Sequence, residues 1–247
     1  MPTNSHLCII IPTYNNAGTV CRVVQEAQQS GLKVLVVNDG STDGSAALLS
    51  ALADVELVSY EINRGKGHAL LEGFRRARQL GYDYAITMDA DGQHYASDIP
   101  VFLQIHEQCP DALVVGSRNL QSENMPGKNT FANKFSNFWF HLQTLQCLPD
   151  TQTGFRLYPL KAFGSLWWIT SRYEAELELL VSAAWKGVKL IAVPIRVYYP
   201  PQGERVTHFR PAYDFTRISI LNTILCLLAV VYGYPRMLFQ KICSLLQ

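Results

Sequence analysis

The chain has 247 residues, of which 48% are hydrophobic and 17% charged. Its 21 basic and 20 acidic residues leave a formal charge of +1. This composition supplies a core for one large α/β domain, with or without an appendage, and it lacks the basic stripe that would make nucleic acid a partner.

The first half alternates strands and helices. "LCIII" (7–11) reads as a buried strand stopped by Pro12, and 17–30 as a helix ended by Gly31. "KVLVV" (33–37) is a second strand, followed by a helix capped by Ser41 or Asp43 and running to about 53. "VELVSY" (55–60) is a third strand, 65–81 a helix closed by Gly81, and "YAITM" (84–88) a fourth strand. A helix near 97–107 and the strand "ALVVG" (112–116) follow. Continuous apolar strands in βαβα order predict a mostly parallel sheet covered by helices on both faces. Further on, 129–148 spaces Phe131, Phe135, Phe138, Trp139 and Leu142 at helical intervals, and an aromatic stripe of this kind either packs inward or offers an amphipathic surface. Residues 175–187 read as a helix and 188–199 as a strand.

The C-terminus differs in character. "ISILNTILCLLAVVYGY" (218–234) carries no charge and is near the lower length limit for a spanning helix. Pro235 and Arg236 end it, and "MLFQKICSLLQ" follows. A core helix, a homo-oligomer helix and a membrane-contacting helix all fit, and membrane contact is the expectation taken forward, with Arg236 and Lys241 suited to headgroups. The six cysteines form no CxxC pair and no zinc spacing, which fits a reducing, cytoplasmic-side protein. "MPTNSHLCIIIPTYNN" lacks the basic region and length of a signal peptide.

Polar clusters follow three of the strands, where ligands bind in sheets of this kind. In "ITMDADGQH" (86–94), Asp89, Asp91 and Gln93 point the same way if the chain stays extended. Two carboxylates and an amide oxygen suit a hard cation, Mg²⁺ or Mn²⁺, whose shell a diphosphate and waters would complete. An Asp-Gly turn with capping carboxylates is the alternative. His94 reads as a loop histidine before it reads as a ligand. In "VVNDGSTDGS" (36–45), Asp39 suits a base N–H or a ribose hydroxyl, or turn and cap chemistry. In "IPTYNN" (11–16), Tyr14 flanks a base or packs. "NRGKGHA" (63–69) offers backbone N–H groups, Arg64 and Lys66 to phosphates, or is a solvated loop. It is neither GxGxxG nor a P-loop.

Taken together, the order IPTYN, NDGSTDGS, NRGKGHA, MDADGQH, VGSR, TGFR over roughly residues 7–200 resembles the family 2 glycosyltransferases of GT-A fold, and within them the dolichol- or polyprenyl-phosphate mannosyltransferase branch. The resemblance implies an inverting enzyme with a GT-A, Rossmann-like catalytic domain over 1–212 and a membrane-associating segment over 213–247. It would work at the cytoplasmic face of the cell membrane on a UDP- or GDP-sugar donor, a lipid-linked acceptor and a divalent metal. By that similarity Pro12, Tyr14, Asn15 and Asp39 bind the nucleoside, and Lys66 lies by the nucleotide. Asp89, Asp91 and Gln93 hold metal and diphosphate, and Arg118 and Arg156 face the donor or acceptor phosphate. The chain departs from the branch at Asn16, Asn38 and Gly92, and Thr207 and His208 of "ERVTHFRP" stand where the branch has Ser-Lys. His208 is a metal ligand, an acceptor-phosphate contact or a structural loop histidine.

A lipid-phosphate acceptor is already anionic and needs no general base, only positioning by Arg118, Arg156, Arg205 and Arg210. A hydroxyl acceptor on a glycolipid or glycan needs one. Glu174 is named first for that role, ahead of Asp150, with a solvated helix start as the structural alternative for the glutamates. Two rivals remain. A sugar nucleotidyltransferase opens with a Gly-rich, Arg-containing loop, where this chain has "PTYNNAG". A non-catalytic nucleotide-sugar-binding relative would not need the Asp89, Asp91 and Gln93 set.

Overall fold

Seven consecutive residues with no exposed side chain, Leu7–Thr13, form strand β1 at the middle of the sheet. Alternate side chains enter opposite cores, as a strand covered on both faces requires. Cys8 and Ile10 join Leu35, Val37, Phe74, Tyr158 and Leu179 on one side. Leu7, Ile9 and Ile11 join Val23, Val24, Phe102, Phe155 and Leu157 on the other. The computed structural model describes residues 6–118, 127–163, 170–199 and 211–245. Arg205, Thr207, His208 and Arg210, singled out above, lie outside them.

The elements run β1, α1 (Val20–Gln28), β2 (Lys33–Asp39), α2 (Ser45–Ser50), β3 (Val55–Tyr60), α3 (Lys66–Gln79), β4 (Tyr84–Thr87), α4 (Ile99–Gln108), β5 (Leu113–Arg118), α5 (Gly127–Thr144), β6 (Arg156–Pro159), α6 (Leu160–Phe163), α7 (Ala175–Trp185), β7 (Leu190–Ile195), α8 (Pro211–Leu228) and α9 (Tyr234–Leu245). The sheet order is β3-β2-β1-β4-β6-β5-β7. β6 is antiparallel to both of its neighbours, and the other pairs are parallel. The mostly parallel α/β reading therefore holds, with one reversed strand that the sequence reading passed over. β6 is four residues of "RLYP" and too short to show a period of two.

The register brings the polar clusters to one edge. Thr13 of β1 pairs with Asn38 of β2, and Asp39 pairs with Tyr60 of β3. Met88 donates to the Ile10 carbonyl at 3.0 Å, so Asp89 leaves the sheet beside the end of β1. α3 lies across β1 and β2, and Gly73 lets it come close, because a Cβ there would stand 2.6 Å from Ile10 Cγ2.

The aromatic stripe of α5 does not pack inward as a whole. Phe140, Gln143 and Thr144 are buried, while Phe138 and Leu142 are exposed. Phe135 stacks on Phe215 of α8 with centroids 6.0 Å apart. The C-terminal apolar run is one 33-residue helical stretch, Tyr213–Leu245, whose most apolar 18-residue window has mean hydropathy 1.8 and is 22% buried. A wider π-type turn, Ala229–Gly233, joins α8 to α9. Leu221, Leu225 and Ala229 belong to the first core. Beneath them Gln143 Nε2 donates to Asn222 Oδ1 at 2.9 Å, and Trp185 Nε1 donates to the Gln143 carbonyl at 2.8 Å.

Candidate active site

The loops after β1 and β2 are bonded to one another. Asn15, with a left-handed backbone (φ 54°), donates its N–H to Ser41 Oγ at 3.0 Å, and its Oδ1 accepts from the Thr42 N–H at 2.7 Å. Pro12 is buried in β1, and Tyr14 is half-buried beside it. Asp39 is buried, and both its oxygens are used within the chain. Oδ1 accepts from the Arg64 N–H at 2.7 Å, and Oδ2 accepts from the Gly65 N–H at 2.8 Å and Asn63 Nδ2 at 2.9 Å. These bonds give Asp39 a loop-holding role. Asp39 fixes residues 63–65 over the ends of β2 and β3. Gly40 (φ +68°) permits that approach, because a Cβ there would lie 2.5 Å from the Asn63 nitrogen.

The fixed loop delivers Lys66 to the first turn of α3. Its Nζ lies 2.6 Å from Asp89 Oδ1 and 3.0 Å from Glu176 Oε2. Burial disfavours the ammonium, but the two carboxylates outweigh it and hold the Lys66 pKa above its ordinary value. Burial likewise pushes Asp89 up, and Lys66 more than reverses this, so Asp89 is lowered. The Asp89 and Lys66 side chains keep 24% and 18% exposure, so the cluster opens to solvent and a ligand can reach it. Gly154 of "TGFR" forms its floor. A Cβ there would stand 2.6 Å from Asp89 Oδ2 and 2.8 Å from Lys66 Nζ. Thr87 Oγ1 holds that floor by donating to the Gly154 carbonyl at 2.7 Å.

The stretch 89–94 is not extended. It turns at Ala90–Asp91, so Asp89, Asp91 and Gln93 do not line one face of a strand. Asp91 Oδ1 accepts from the Gln93 N–H at 2.9 Å, the Asx-turn chemistry that was the alternative. Gly92 (φ +74°) supplies the left-handed turn, and a Cβ there would meet Arg22 Nη2 at 2.3 Å. Burial and the charge of Asp89 both push Asp91 up, and the result is a raised pKa. His94 is buried against Phe155, with ring centroids 5.1 Å apart. Burial outweighs the nearby carboxylates and lowers its pKa, and its Nδ1 accepts from the Asp89 N–H at 3.4 Å. His94 thus supports the Asp89 backbone as a neutral ring.

The expected phosphate ligands are turned inward. Arg156 is fully buried. It donates to the carbonyls of Thr153 (2.8 Å), Thr151 (3.0 Å) and Glu176 (2.8 Å) and to Tyr158 Oη (3.2 Å). It ties β6 to α7 instead of facing a phosphate, because buried carbonyls consume its donors. Arg118 forms a two-pronged pair with Asp150, Nε–Oδ2 2.6 Å and Nη2–Oδ1 3.0 Å. Asn133 Nδ2 also donates to Asp150, at 2.6 Å. Glu174 precedes α7 and takes both Nε (2.8 Å) and Nη2 of Arg217 on its Oε1. The sequence reading did not assign roles to Arg217, Asn133 or Gly154. Arg217 carried one available signal, a guanidinium at the start of an otherwise apolar run.

Among the described residues, no three His, Cys, Asp or Glu side chains group as a metal site. The chain can still hold part of one. Asp91 has no ion pair among the described residues and stands beside a second carboxylate that raises its pKa. That is an uncompensated charge, and a divalent cation bound also by phosphate oxygens would neutralise it. The residues present fit a metal held by substrate and protein together.

Comparison with known proteins gives the family. The model of "Glycosyl transferase family 2" matches residues 8–164. Glycosyltransferase AglJ of Haloferax volcanii is 31% identical over 218 residues, covering 87% of this chain and 70% of that protein. A UDP-N-acetylglucosamine–dolichyl-phosphate N-acetylglucosaminyltransferase of Methanococcus voltae is 30% identical, with 77% and 85% covered. The polyprenol monophosphomannose synthase of Mycolicibacterium smegmatis is 30% identical, with 78% and 77% covered. The crystal structure of mannosyl-3-phosphoglycerate synthase from Rubrobacter xylanophilus shares the fold, with TM-score 0.62 at 21% identity over 95% of this chain and 74% of that one. With most of its sheet, the loops after β1 and β2 and its acidic turn inside the matched span, the chain belongs to glycosyl transferase family 2, and it is a glycosyltransferase.

Proposed function

We propose that the chain moves a sugar from a UDP- or GDP-sugar to a polyprenyl phosphate at a membrane surface, with inversion at the anomeric carbon. The observation that carries this reading is the pairing of both candidate general bases, Glu174 and Asp150, and of the neighbouring Glu176. Glu174 is held by Arg217, Glu176 by Lys66 and Asp150 by Arg118. All three are buried and committed to a cation, so none is presented to an acceptor hydroxyl. A phosphate acceptor is anionic at neutral pH and needs none. The names of the Methanococcus and Mycolicibacterium relatives, which state dolichyl-phosphate and polyprenol chemistry, support the same acceptor class.

In this mechanism Asp89 and Asp91 would hold Mg²⁺ or Mn²⁺ with the donor diphosphate, and the metal would supply charge neutralisation for the leaving nucleotide. Lys66 adds a fixed positive charge beside Asp89. Asp39 and the 63–65 loop set the position of Lys66, and the Asn15–Ser41–Thr42 bonds shape the nucleoside side. Pre-set geometry of this kind is the main source of rate in a displacement between anions.

The C-terminal helices suit an in-plane seat at the cytoplasmic face. Phe215, Ile220, Ile224, Leu227, Val230 and Val231 are exposed, while other residues of the same stretch are bonded to α5 through Asn222 and to the start of α7 through Arg217. A helix held along the body on one side and apolar on the other lies in the interface.

The test is a radiolabelled donor panel with total membrane lipids and Asp91→Ala as control. Label should enter the organic phase with one donor and be lost in the variant. Transfer only to water-soluble hydroxyls, or to no acceptor, would overturn the assignment, and the anomeric configuration of the isolated product tests inversion.

A further inference from the structure

α8 does more than carry apolar side chains. Arg217 lies one turn into it, half-buried, with its ring-facing side over Tyr213, 5.7 Å from the centroid, and its Nη1 near Tyr213 Oη at 3.4 Å. Its two other donors both reach Glu174 Oε1. The Glu174 side chain is 1% exposed, and its Oε2 has no partner among the described residues. Arg217 is therefore the charge that compensates a buried carboxylate at the start of α7.

The first turn of α7 is also where the site is held. The Glu174 carbonyl accepts from Leu177 and Glu178 and starts the helix. Two residues on from Glu174, Glu176 binds Lys66 through its carboxylate and Arg156 through its carbonyl. The Ser171 carbonyl accepts from the His68 N–H at 3.0 Å, which fixes α3 against the same segment. A continuous set of short bonds thus runs from α8, through Glu174 and the first turn of α7, to Lys66 and Asp89.

We infer that Arg217 is a positioning residue that couples the seating of α8 on a lipid surface to the placement of the Lys66–Asp89 pair. The inference rests on the reading of the chain as a lipid-phosphate glycosyltransferase. A bilayer that binds the exposed side of α8 restrains the helix. Arg217 passes that restraint to Glu174, and the first turn of α7 passes it to Lys66. Differential binding of the bilayer to the ordered arrangement is what shifts the population.

The experiment compares two acceptors, a short water-soluble prenyl phosphate and a long-chain polyprenyl phosphate in zwitterionic phospholipid vesicles. The full chain, Arg217→Ala and Arg217→Lys are assayed on both, with melting curves and vesicle sedimentation for each. The wild type should transfer to both and run faster on vesicles. In Arg217→Ala the ratio of vesicle to soluble rate should fall by about tenfold, within the range of coupling between sites, although the variant still sediments with vesicles. Arg217→Lys keeps the cation but loses the two-pronged fork, so its ratio should fall part of the way. A general structural role would lower both rates alike. An unchanged ratio in a folded Arg217→Ala, or in Arg217→Lys if the alanine variant does not fold, overturns the coupling. A wild type that transfers to neither prenyl phosphate overturns the functional reading instead.

Discussion

Asp150 was weighed as a general base, and the structure makes it an anchor, a difference that Asp150→Asn and Asp150→Ala separate. The Asp150 side chain is 0% exposed and accepts from Arg118 Nε, Nη2 and N–H, from Asn133 Nδ2 and from the Gln152 N–H. Removing one partner of a buried ion pair costs about 3–5 kcal/mol, and stranding the Asn133 amide adds about 1–3. Arg118 keeps 16% exposure and regains some water, so a loss of about 4–6 kcal/mol is expected for the alanine variant. Against a total stability of about 5–15 kcal/mol, that brings the variant close to unfolding. The asparagine variant keeps an acceptor of the same shape and should lose about 2 kcal/mol. Urea unfolding in detergent, followed by tryptophan fluorescence, measures both. The acid limb gives a second reading. Burial raises the Asp150 pKa, and the Arg118 bonds and charge pull it back below the ordinary value. A depressed native pKa adds stability above the unfolded value of about 3.9 and loses it as the pH falls through the native one. The wild type should therefore lose stability below about pH 4 more steeply than Asp150→Asn. A true general base contributes about a hundredfold or more, so a folded Asp150→Asn that keeps its rate within about tenfold supports the anchor. A stability loss below about 1 kcal/mol together with a hundredfold rate loss would refute it.

Two further outcomes follow from the geometry. Gly154→Ala puts a methyl 2.6 Å from Asp89 Oδ2 and must displace the Lys66–Asp89 pair. The rate should drop about a hundredfold, as for a misplacement near 1 Å, with a stability cost of about 1–3 kcal/mol, and wild-type turnover would argue against a role for that pair. Leu227→Glu with Val231→Glu changes two side chains exposed at 67% and 73%, so the fold should survive while vesicle sedimentation weakens more than tenfold, from about 1.5–3 kcal/mol of lost burial per residue. Undiminished sedimentation would remove α8 as the lipid contact.

The strands and the edge they share were legible because they depend on local pattern. Val34–Val37 and Ile9–Ile11 are apolar without interruption, which in a chain alternating with helices means a doubly covered parallel sheet. The polar residues that end those strands then fall on one edge by topology alone. Clusters 12–16, 38–43 and 89–94 group on that basis, and Lys66 joins Asp89 only through the family resemblance. What stayed hidden was which partner each charge takes. Asp39 looked like a ligand contact because nothing local shows that the backbone N–H groups of residues 64 and 65 consume its oxygens. Arg156 looked like a phosphate ligand because a motif records residue type and omits direction, and only the antiparallel entry of β6 sends its guanidinium inward. The Arg118–Asp150 and Arg217–Glu174 pairs bridge 32 and 43 residues, beyond the reach of any helical or strand period.

Those long-range pairs also decide how the site is to be understood. Had Glu174 and Asp150 been free at the cleft, a hydroxyl acceptor with a carboxylate base would fit as well as a phosphate. With each committed to an arginine, Asp91 stands beside Asp89 with no ion pair among the described residues. On the proposed reading, a spare carboxylate there suits a cation held together with the donor diphosphate. An acceptor that brings its own negative charge, such as a phosphate headgroup presented beside the exposed apolar side of α8, then needs no proton removed by Glu174 or Asp150.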